Sequence, residues 1–521
     1  MKLSPKRKKA LGLFLIGNLL PVCYVLWMCF SAPAPIVISP ETTLITEPLT
    51  PDGQYVDYLA YHKQLIGEQD PKDDLWKALV SPKRPHDESS AWAISQVPRV
   101  SYQDPRDAIH PMEKAWKARS LEKERHLARC RAPFTAAEDP EFAEATEASE
   151  AWYQAVLNTE PGPVGVRWDD FPGVGLPITD IHQQLYPRFQ LRASLAFGDG
   201  DFDKAIESYR FILKVAARER TIPFWETQNA GANITWAGTD TVCYGILGAN
   251  RVPENILRDL DNTPPPSFAN EPWLRALMLE RIHWLIEFQE THRNRASTGE
   301  YSQYADALGR SAGNWFVKRL DFKAVMEATT QAYHDAVPAF QIQDYQKSIT
   351  AIKKINAAVA TKWKGVGNTQ SPATLMQLIT DDHTARVCRE VAQPYYSRMR
   401  AYPARLQNNW RRLRLTIRLH VYRSKHGQWP DSLDELLNLP GWEATDRELF
   451  IDAFTGRPFN YRRTEDGFIL QSFGPNSVDD IRDQLPTDAY GWRYSIGDDE
   501  FWPWPHPRYQ IDISPPQPAT P

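Results

Sequence analysis

The chain has 521 residues, which is enough for two or three domains, and its 65 acidic and 60 basic residues leave a net charge of −5. A weakly acidic chain of this kind offers no electrostatic case for binding nucleic acid, so no nucleic-acid partner is expected. Its five cysteines lack the paired spacings that mark a zinc site or a disulfide framework, and at most one disulfide is expected among them.

The first predicted element is a membrane anchor. Residues 1–9 are rich in lysine and arginine, and residues 10–32 form an apolar run. About 20 apolar residues suffice to cross a bilayer, and a basic flank usually stays in the cytoplasm. We therefore predict a cytoplasmic basic segment, a single transmembrane helix that contacts the lipid bilayer through residues 10–32, and an extracytoplasmic remainder. A cleaved signal peptide is the alternative, which Pro35 just after the candidate cleavage site disfavours.

A proline-rich stalk and a helical body are predicted next. Residues 33–53 combine prolines with β-branched residues, which is typical of an extended stalk. Over residues 54–391 the apolar residues recur mainly at three- and four-residue spacing, which indicates amphipathic helices. The clearest pair flanks the turn at residues 198–201 and resembles one tetratricopeptide-type unit. No second copy follows at the period of that repeat, so an ordinary helical hairpin is the alternative.

The most legible stretch is residues 402–483, which predicts a helix, a short helix and an antiparallel hairpin. An apolar stripe runs along the first helix, and the arginines of this helix lie mostly off the stripe. Gly427 can adopt the left-handed conformation that ends a helix, and Pro430 cannot continue one. Alternation of period two on both sides of residues 465–467 predicts two paired strands. The stripe consists of Leu406, Trp410, Leu413, Ile417 and Val421, and the strand positions are Phe459, Tyr461, Phe468, Leu470 and Ser472.

The same stretch resembles the globular domain of the major pseudopilins of type II secretion. In that family a helix ending in tyrosine is followed by Gly-x-Tyr-Pro, by Asp-Pro-Trp-Gly-x-Pro-Tyr, by a hairpin and by a Ser-x-Gly-x-Asp-Gly turn. The matching positions are Tyr422, Gly427, Trp429, Pro430, Asp452, Phe454, Gly456, Pro458, Phe459, Ser472, Gly474 and Asn476. The whole chain also resembles membrane-anchored bacterial proteins with a helical middle, a likeness that implies no particular activity.

The resemblance implies a small α+β domain at residues 392–502, followed by a proline-rich tail at residues 503–521. An acidic calcium loop follows the turn in pseudopilins, so the resemblance implies four calcium ligands directly after this turn. Calcium takes about six to eight oxygen ligands, and acidic residues are dense here. A solvated acidic edge is the alternative, and no other cofactor is expected. The implied calcium ligands are Asn476, Asp479, Asp480 and Asp483.

No catalytic residue is predicted, because the chain contains no His-Glu-x-x-His, no Gly-x-Ser-x-Gly, no phosphate loop and no dinucleotide fingerprint. We expect a mainly α protein of the bacterial inner membrane that acts as a non-catalytic scaffold or interaction protein of the cell envelope. The resemblance implies a link to secretion machinery, with envelope proteins as partners of the C-terminal domain. The alternatives are an envelope hydrolase of glycans or peptides with a site between helices, and a glycan- or peptide-binding module that uses exposed tryptophans.

Overall fold

The structure is a computed structural model, which describes residues 35–66, 133–159, 178–221, 224–249, 252–294, 321–362, 384–385, 387–388, 396–439, 444–464 and 467–474. Its α-helices are α1 (Pro40–Thr43), α2 (Tyr58–Ile66), α3 (Pro140–Ala148), α4 (Glu150–Leu157), α5 (Ile178–Asp199), α6 (Phe202–Glu219), α7 (Trp225–Gly248), α8 (Glu254–Asp261), α9 (Glu271–Asn294), α10 (Phe322–Gln341), α11 (Tyr345–Lys362) and α12 (Tyr396–His426). Two 3₁₀ helices (Leu433–Asn438 and Ala444–Phe450) and two strands, β1 (Asn460–Arg463) and β2 (Phe468–Gln471), follow. The predicted mainly α fold is confirmed.

Helices α5, α6 and α7 pack against one another as a three-helix unit. Gly200 turns the chain between α5 and α6 with a φ of 80°, a conformation that glycine adopts without steric cost. The next residue, Asp201, caps α6 by accepting a hydrogen bond from the backbone N–H of Lys204 at 3.2 Å. The predicted helical hairpin is therefore present, and α7 covers both of its helices.

Close packing of α7 depends on glycines at seven-residue spacing. A Cβ built on Gly245 would lie 2.4 Å from the ring of Phe197 on α5. One built on Gly238 would lie 2.8 Å from the Cγ2 of Ile212 on α6. Seven residues are close to two helical turns, so these glycines lie on one face, where their missing side chains let the neighbouring helices approach. Gly231 continues the same row one heptad earlier.

A buried arginine joins α4, α5 and α6. The side chain of Arg192 is 1% exposed, and its Nη2 lies 2.6 Å from Glu150 Oε1 and 2.9 Å from Glu207 Oε2. The ammonium of Lys204 lies 2.8 Å from the other oxygen of Glu150. Burial opposes ionisation of Glu150, but its hydrogen bonds outweigh that effect and lower its pKa to about 2. This carboxylate is thus charged at neutral pH and offsets part of the cost of burying Arg192.

The N-terminal part of the described chain is packed, which corrects the predicted stalk at residues 33–53. Thr43 is fully buried, and its carbonyl accepts a hydrogen bond from the Tyr58 hydroxyl at 2.7 Å. The hydroxyl of Thr330 on α10 donates to the Thr42 carbonyl at 3.2 Å. Apolar side chains of this segment, including Ile38, pack against a core cluster built by α9 and α10. Prolines suggested an extended chain, but the apolar residues between them cover the helical body.

Helix α10 contains a proline close to its C-terminal end. The helix continues through Pro338 to Gln341. A proline removes one backbone hydrogen bond from a helix. Beyond it, however, Ala339 and Phe340 are buried in a cluster with residues of α9, α11 and α12, and this burial favours one more helical turn.

The long helix α12 lies at the centre of the described structure and packs against α7, α8 and α11. Its arginines reach outward to different neighbours. Arg400 donates to the carbonyl of Gln343 between α10 and α11 at 2.9 Å, and Arg412 pairs with Asp240 on α7. Arg418 is only 2% exposed. It lies 3.3 Å from Asp446 in the second 3₁₀ helix and 3.7 Å from Asp261 on α8. These arginines do not form the solvated face that charged residues off an apolar stripe usually form.

The predicted hairpin is present at the C-terminal end of the described chain. Strands β1 and β2 pair antiparallel, with Tyr461 opposite Leu470. Trp429 packs edge-on against Phe468, with ring centroids 4.8 Å apart. One core cluster joins this sheet to the last turns of α12 and to the first 3₁₀ helix. Gly427 ends α12 with a φ of 74°, as its position in the sequence predicts.

The predicted localisation needs correction. Among the residues that the structure describes, no helix combines the length and the apolar character needed to cross a bilayer. The prediction of a single-pass inner-membrane protein is therefore not supported. The segments on which it relied, residues 1–9 and 10–32, lie outside the described residues.

The glycine row on α7 predicts a specific sensitivity to added volume. We expect Gly245→Ala to lower the free energy of unfolding by about 2–3 kcal/mol, because the new methyl group would overlap the ring of Phe197. Gly427→Ala is the control, since its Cβ would meet no heavy atom within 4 Å. It should lose only the roughly 1 kcal/mol that a left-handed residue costs. Urea denaturation of both variants measures the difference, and equal losses would contradict close packing at Gly245.

The ion-pair cluster at Arg192 predicts a dependence on pH. The pKa of Glu150 falls from its ordinary 4.5 to about 2 in the folded chain. Its contribution to stability should therefore be complete above pH 4.5 and should disappear as the pH falls towards 2. Urea denaturation of the wild type and of Glu150→Gln, measured between pH 6 and pH 2, should show a stability difference that shrinks over this window. A difference that stays constant across it would show that the cluster is not coupled to folding.

Candidate functional site

A cleft lies between α7 and α12 and is closed at one end by the turn that follows Asp452. Its interior has a volume of about 50 Å³, which is enough for a few water molecules or a small polar group. The cleft opens to solvent. It is lined by Ala232, Asn233 and Trp236 from α7, by Tyr402, Arg405, Leu406, Asn408 and Asn409 from α12, and by Phe454 and Ser472.

The spacing of the lining residues explains why they meet. On α12, Tyr402, Arg405 and Asn409 follow one another at three- and four-residue intervals, so they share one face. On α7, Asn233 and Trp236 are three residues apart and face α12. Asn233 is exposed and Trp236 is half-buried, so both are accessible from solvent.

An aromatic stack supports the cationic side chain of the cleft. The guanidinium carbon of Arg405 lies 5.4 Å from the centre of the Tyr402 ring, a cation–π distance. Tyr402 in turn stacks on Trp273 of α9, with centroids 5.4 Å apart and an interplanar angle of 16°. Trp225 meets both rings edge-on. Because Trp273 is fully buried, the stack holds Arg405 against a rigid base.

The end wall of the cleft is held by one fully buried carboxylate, Asp452. It accepts hydrogen bonds from Asn408 Nδ2 at 2.7 Å and from the backbone N–H of Phe473 at 2.8 Å. It also accepts one from the N–H of Phe454 at 2.9 Å. The Asn408 carbonyl oxygen completes the arrangement by accepting from the N–H of Ala453 at 2.7 Å. This Asp452–Asn408 clip therefore joins α12, the turn and the end of β2.

The chemistry of the lining suits binding rather than proton transfer. It offers amide groups from three asparagines, one serine hydroxyl, one phenol, one indole and one guanidinium. None of the lining residues is a carboxylate, a histidine or a cysteine. The lining therefore carries one positive charge and no negative charge. It is able to donate hydrogen bonds and to stack on a flat or apolar group.

Two histidines with lowered pKa values lie outside the cleft, His283 on α9 and His420 on α12. Burial lowers the pKa of His283 to about 4, and burial together with Arg423 lowers that of His420 to about 4. Both side chains are therefore neutral at pH 7, and neither lines the cleft.

The predicted calcium ligands Asn476, Asp479, Asp480 and Asp483 lie outside the described residues. Within the described part of the chain, no group of three or more histidine, cysteine, aspartate or glutamate side chains is placed to hold a metal ion. Cys243 and Cys388, the cysteines in this part, are buried and are not joined in a disulfide.

Part of the cleft coincides with the pseudopilin-like motif, and part was not predicted. Phe454 and Ser472 line the cleft, while Asp452 forms its support. Sequence reasoning missed Asn233 and Trp236, because α7 has no strong apolar stripe and its tryptophan is one of 18. The available signal was the row of glycines on α7, which marks a helix packed closely enough to form a wall.

Comparisons of this chain with protein-family models, with curated proteins and with solved structures found no match.

The Asp452–Asn408 clip predicts a large effect of one substitution. Asp452→Ala should lower the free energy of unfolding by about 3 kcal/mol, because it leaves buried N–H groups of Asn408, Phe454 and Phe473 without their acceptor. The control is Asp259→Ala, which removes an exposed ion pair with Arg210 and should cost less than about 1 kcal/mol. Urea denaturation of the full chain tests both variants. Similar losses would show that the clip does not hold the wall.

Proposed function

We propose that this protein is a non-catalytic interaction protein and that the cleft between α7 and α12 is its binding site. The observation that supports this most directly is the lining itself. It combines accessible hydrogen-bonding amides with an indole, a phenol and one guanidinium. Such groups recognise a polar chain by stacking and hydrogen bonding, as binding pockets with a few placed polar groups do.

A scaffold role is supported by the position of α12. The first half of this helix lines the cleft, and its last turns, with Leu419 and Tyr422, belong to the core cluster of the hairpin. The Asp452–Asn408 clip ties the same hairpin to the end of the cleft. A partner bound in the cleft would therefore touch the helical body and the hairpin unit together.

The chemical class of partner proposed is an extended peptide or a glycan chain that lies across the opening of the cleft and places one small polar group in its interior. The side-chain amides of Asn233 and Asn409 can form hydrogen bonds with peptide groups or with sugar hydroxyl groups. The indole ring of Trp236 offers a surface for stacking. The resemblance of residues 402–483 to pseudopilins favours a partner that belongs to secretion machinery. The packing of Trp429 and Phe459 in one cluster with Tyr422 is compatible with that resemblance.

The alternative of a hydrolase with a site between helices has a specific requirement. It needs paired carboxylates that face one cavity, with at least one raised pKa. The cleft does lie between helices, but its lining lacks a carboxylate, and Asp452 is enclosed by its own hydrogen bonds. The lining therefore favours binding over hydrolysis.

In-cell cross-linking of the tagged full-length chain, followed by identification of the captured proteins and glycans, tests this proposal. The double variant Trp236→Ala/Asn409→Ala should lose its specific partners about tenfold, because contacts of a central aromatic residue dominate binding. Trp284→Ala is the matched control, since Trp284 is also half-buried but packs against Phe288, away from the cleft. It should retain the partners.

Melting curves must show that both variants are folded. Equal capture by the cleft variant and by the wild type would overturn the proposal, as would equal loss in the cleft variant and in Trp284→Ala. Recovery of a cleaved peptide or glycan instead of an intact partner would favour the hydrolase alternative.

A further inference from the structure

The lining of the cleft changes from apolar in its interior to polar at its opening. Ala232, Leu406 and Phe454 are each at most 3% exposed, so the innermost walls consist of hydrocarbon groups. Asn233 is exposed and Asn409 is half-buried, so their amides lie nearer to solvent. A ligand group that fits this order has an apolar tip with a polar bond directly behind it.

The α12 side and the end wall of the cleft keep hydrogen-bond donors for a ligand. Ser472 Oγ accepts hydrogen bonds from Asn408 Nδ2 and from the backbone N–H of Gly474, both at 3.1 Å. Both lone pairs of this hydroxyl are thus used, and its proton remains available. Within the described part of the chain the amide of Asn409 makes no hydrogen bond, so its N–H groups also remain. These donors suit a carbonyl oxygen.

The α7 wall offers an acceptor. Asn233 donates from its Nδ2 to Asn229 Oδ1, one turn earlier on the helix, at 3.1 Å. This bond orients the amide and leaves the carbonyl oxygen of Asn233 without a donor among the described residues. Because α7 and α12 form opposite walls, this acceptor and the donor groups of Asn409 lie on opposite sides of the cleft. A trans secondary amide matches them, since its N–H and C=O point in opposite directions.

The charges around the cleft favour a neutral ligand group. Arg405 lies over the ring of Tyr402 at a cation–π distance, and the fully buried Asp452 in the end wall carries the opposite charge. Both charged side chains thus have partners in the structure. An anion in the cleft meets the like charge of Asp452, and a cation meets that of Arg405. An amide avoids both repulsions.

We propose that the cleft binds a glycan through the N-acetyl group of an amino sugar, which enters the interior with its methyl group first. The methyl group packs against Leu406 and Phe454 in the interior of about 50 Å³. The acetyl carbonyl accepts from Ser472 and Asn409, and the amide N–H donates to the carbonyl oxygen of Asn233. The proposal rests on the proposed function of the cleft and names the class of its ligand.

The opening of the cleft favours an amino sugar over an acetylated lysine, whose side chain ends in the same group. An amino sugar carries its acetamido group directly on the ring, so the ring lies at the opening. There it can stack on Trp236 and form hydrogen bonds with Asn233. A lysine places its methylene stem at the same position. That stem covers the amides of Asn233 and Asn409 without satisfying them, which costs free energy.

Binding of tri-N-acetylchitotriose to the full-length chain, measured by titration calorimetry, tests the proposal. Cellotriose is the matched control ligand, because it has a hydroxyl group in place of each acetamido group. It should bind about tenfold more weakly, since the hydrogen bonds of the amide are lost. In saturation-transfer NMR the acetyl methyl protons should receive more saturation than the ring protons, because they lie deepest in the cleft.

Substitutions at the polar lining make the test specific. Asn409→Ala should weaken binding of tri-N-acetylchitotriose about tenfold, because a hydrogen bond to the acetyl group is lost. Asn233→Ala, at an exposed position that tolerates substitution, should weaken it to a similar extent. Gln407→Ala is the matched control, since Gln407 is also half-buried on α12 but does not line the cleft. It should bind as the wild type does, and melting curves should show that all three variants are folded.

No binding of tri-N-acetylchitotriose up to its solubility limit, or equal binding of cellotriose, would overturn the proposal. Unchanged binding by both Asn409→Ala and Asn233→Ala would also overturn it. Tighter binding of a peptide that contains an acetylated lysine would overturn it in favour of that ligand. In each case, loss of captured partners in Trp236→Ala/Asn409→Ala still supports the cleft as a binding site. Failure of the proposed function would instead appear as equal capture by that variant, so the two results are distinguishable.

Discussion

Burial of the arginines on α12 is the constraint on which the described structure depends most. A guanidinium taken out of water is costly unless its charge and its N–H groups find partners. Arg412 reaches Asp240 on α7, Arg418 reaches acidic residues on two other elements, and Arg400 reaches carbonyls between α10 and α11. Each pairing fixes one neighbour against α12. The helix therefore sets the relative positions of the elements around it, beyond what its apolar stripe specifies.

The cleft follows from the same arrangement. The ion pair between Arg412 and Asp240 holds α7 against α12 at one position along the helices. At another position the two helices leave an opening lined by Asn233, Trp236 and Arg405. The Asp452–Asn408 clip closes that opening with the turn and the end of β2. Because the walls belong to buried, hydrogen-bonded elements, the polar groups in the cleft are preorganised for a ligand. This rigidity supports a binding role for the cleft.

Sequence patterns predicted the local elements well where local rules decide them. Gly200 and Gly427 adopt the left-handed turns that their positions indicate. The hairpin pairs as the period-two alternation predicts. Errors arose where long-range packing competes with a local signal. The prolines before residue 53 suggested a stalk, and Pro338 suggested a helix end, but buried apolar contacts outweigh both signals.

The sequence by itself therefore determined the mainly α class, the helical hairpin and the small C-terminal sheet. These depend on periodicity and on turn residues, which act over a few positions. Only the tertiary structure decided which side of α12 meets α7, why its arginines are buried, and that Asn233, Arg405 and Ser472 meet at one cleft. These residues are up to 239 positions apart in the chain. Their meeting depends on packing and on ion pairs between distant helices, which no local pattern encodes.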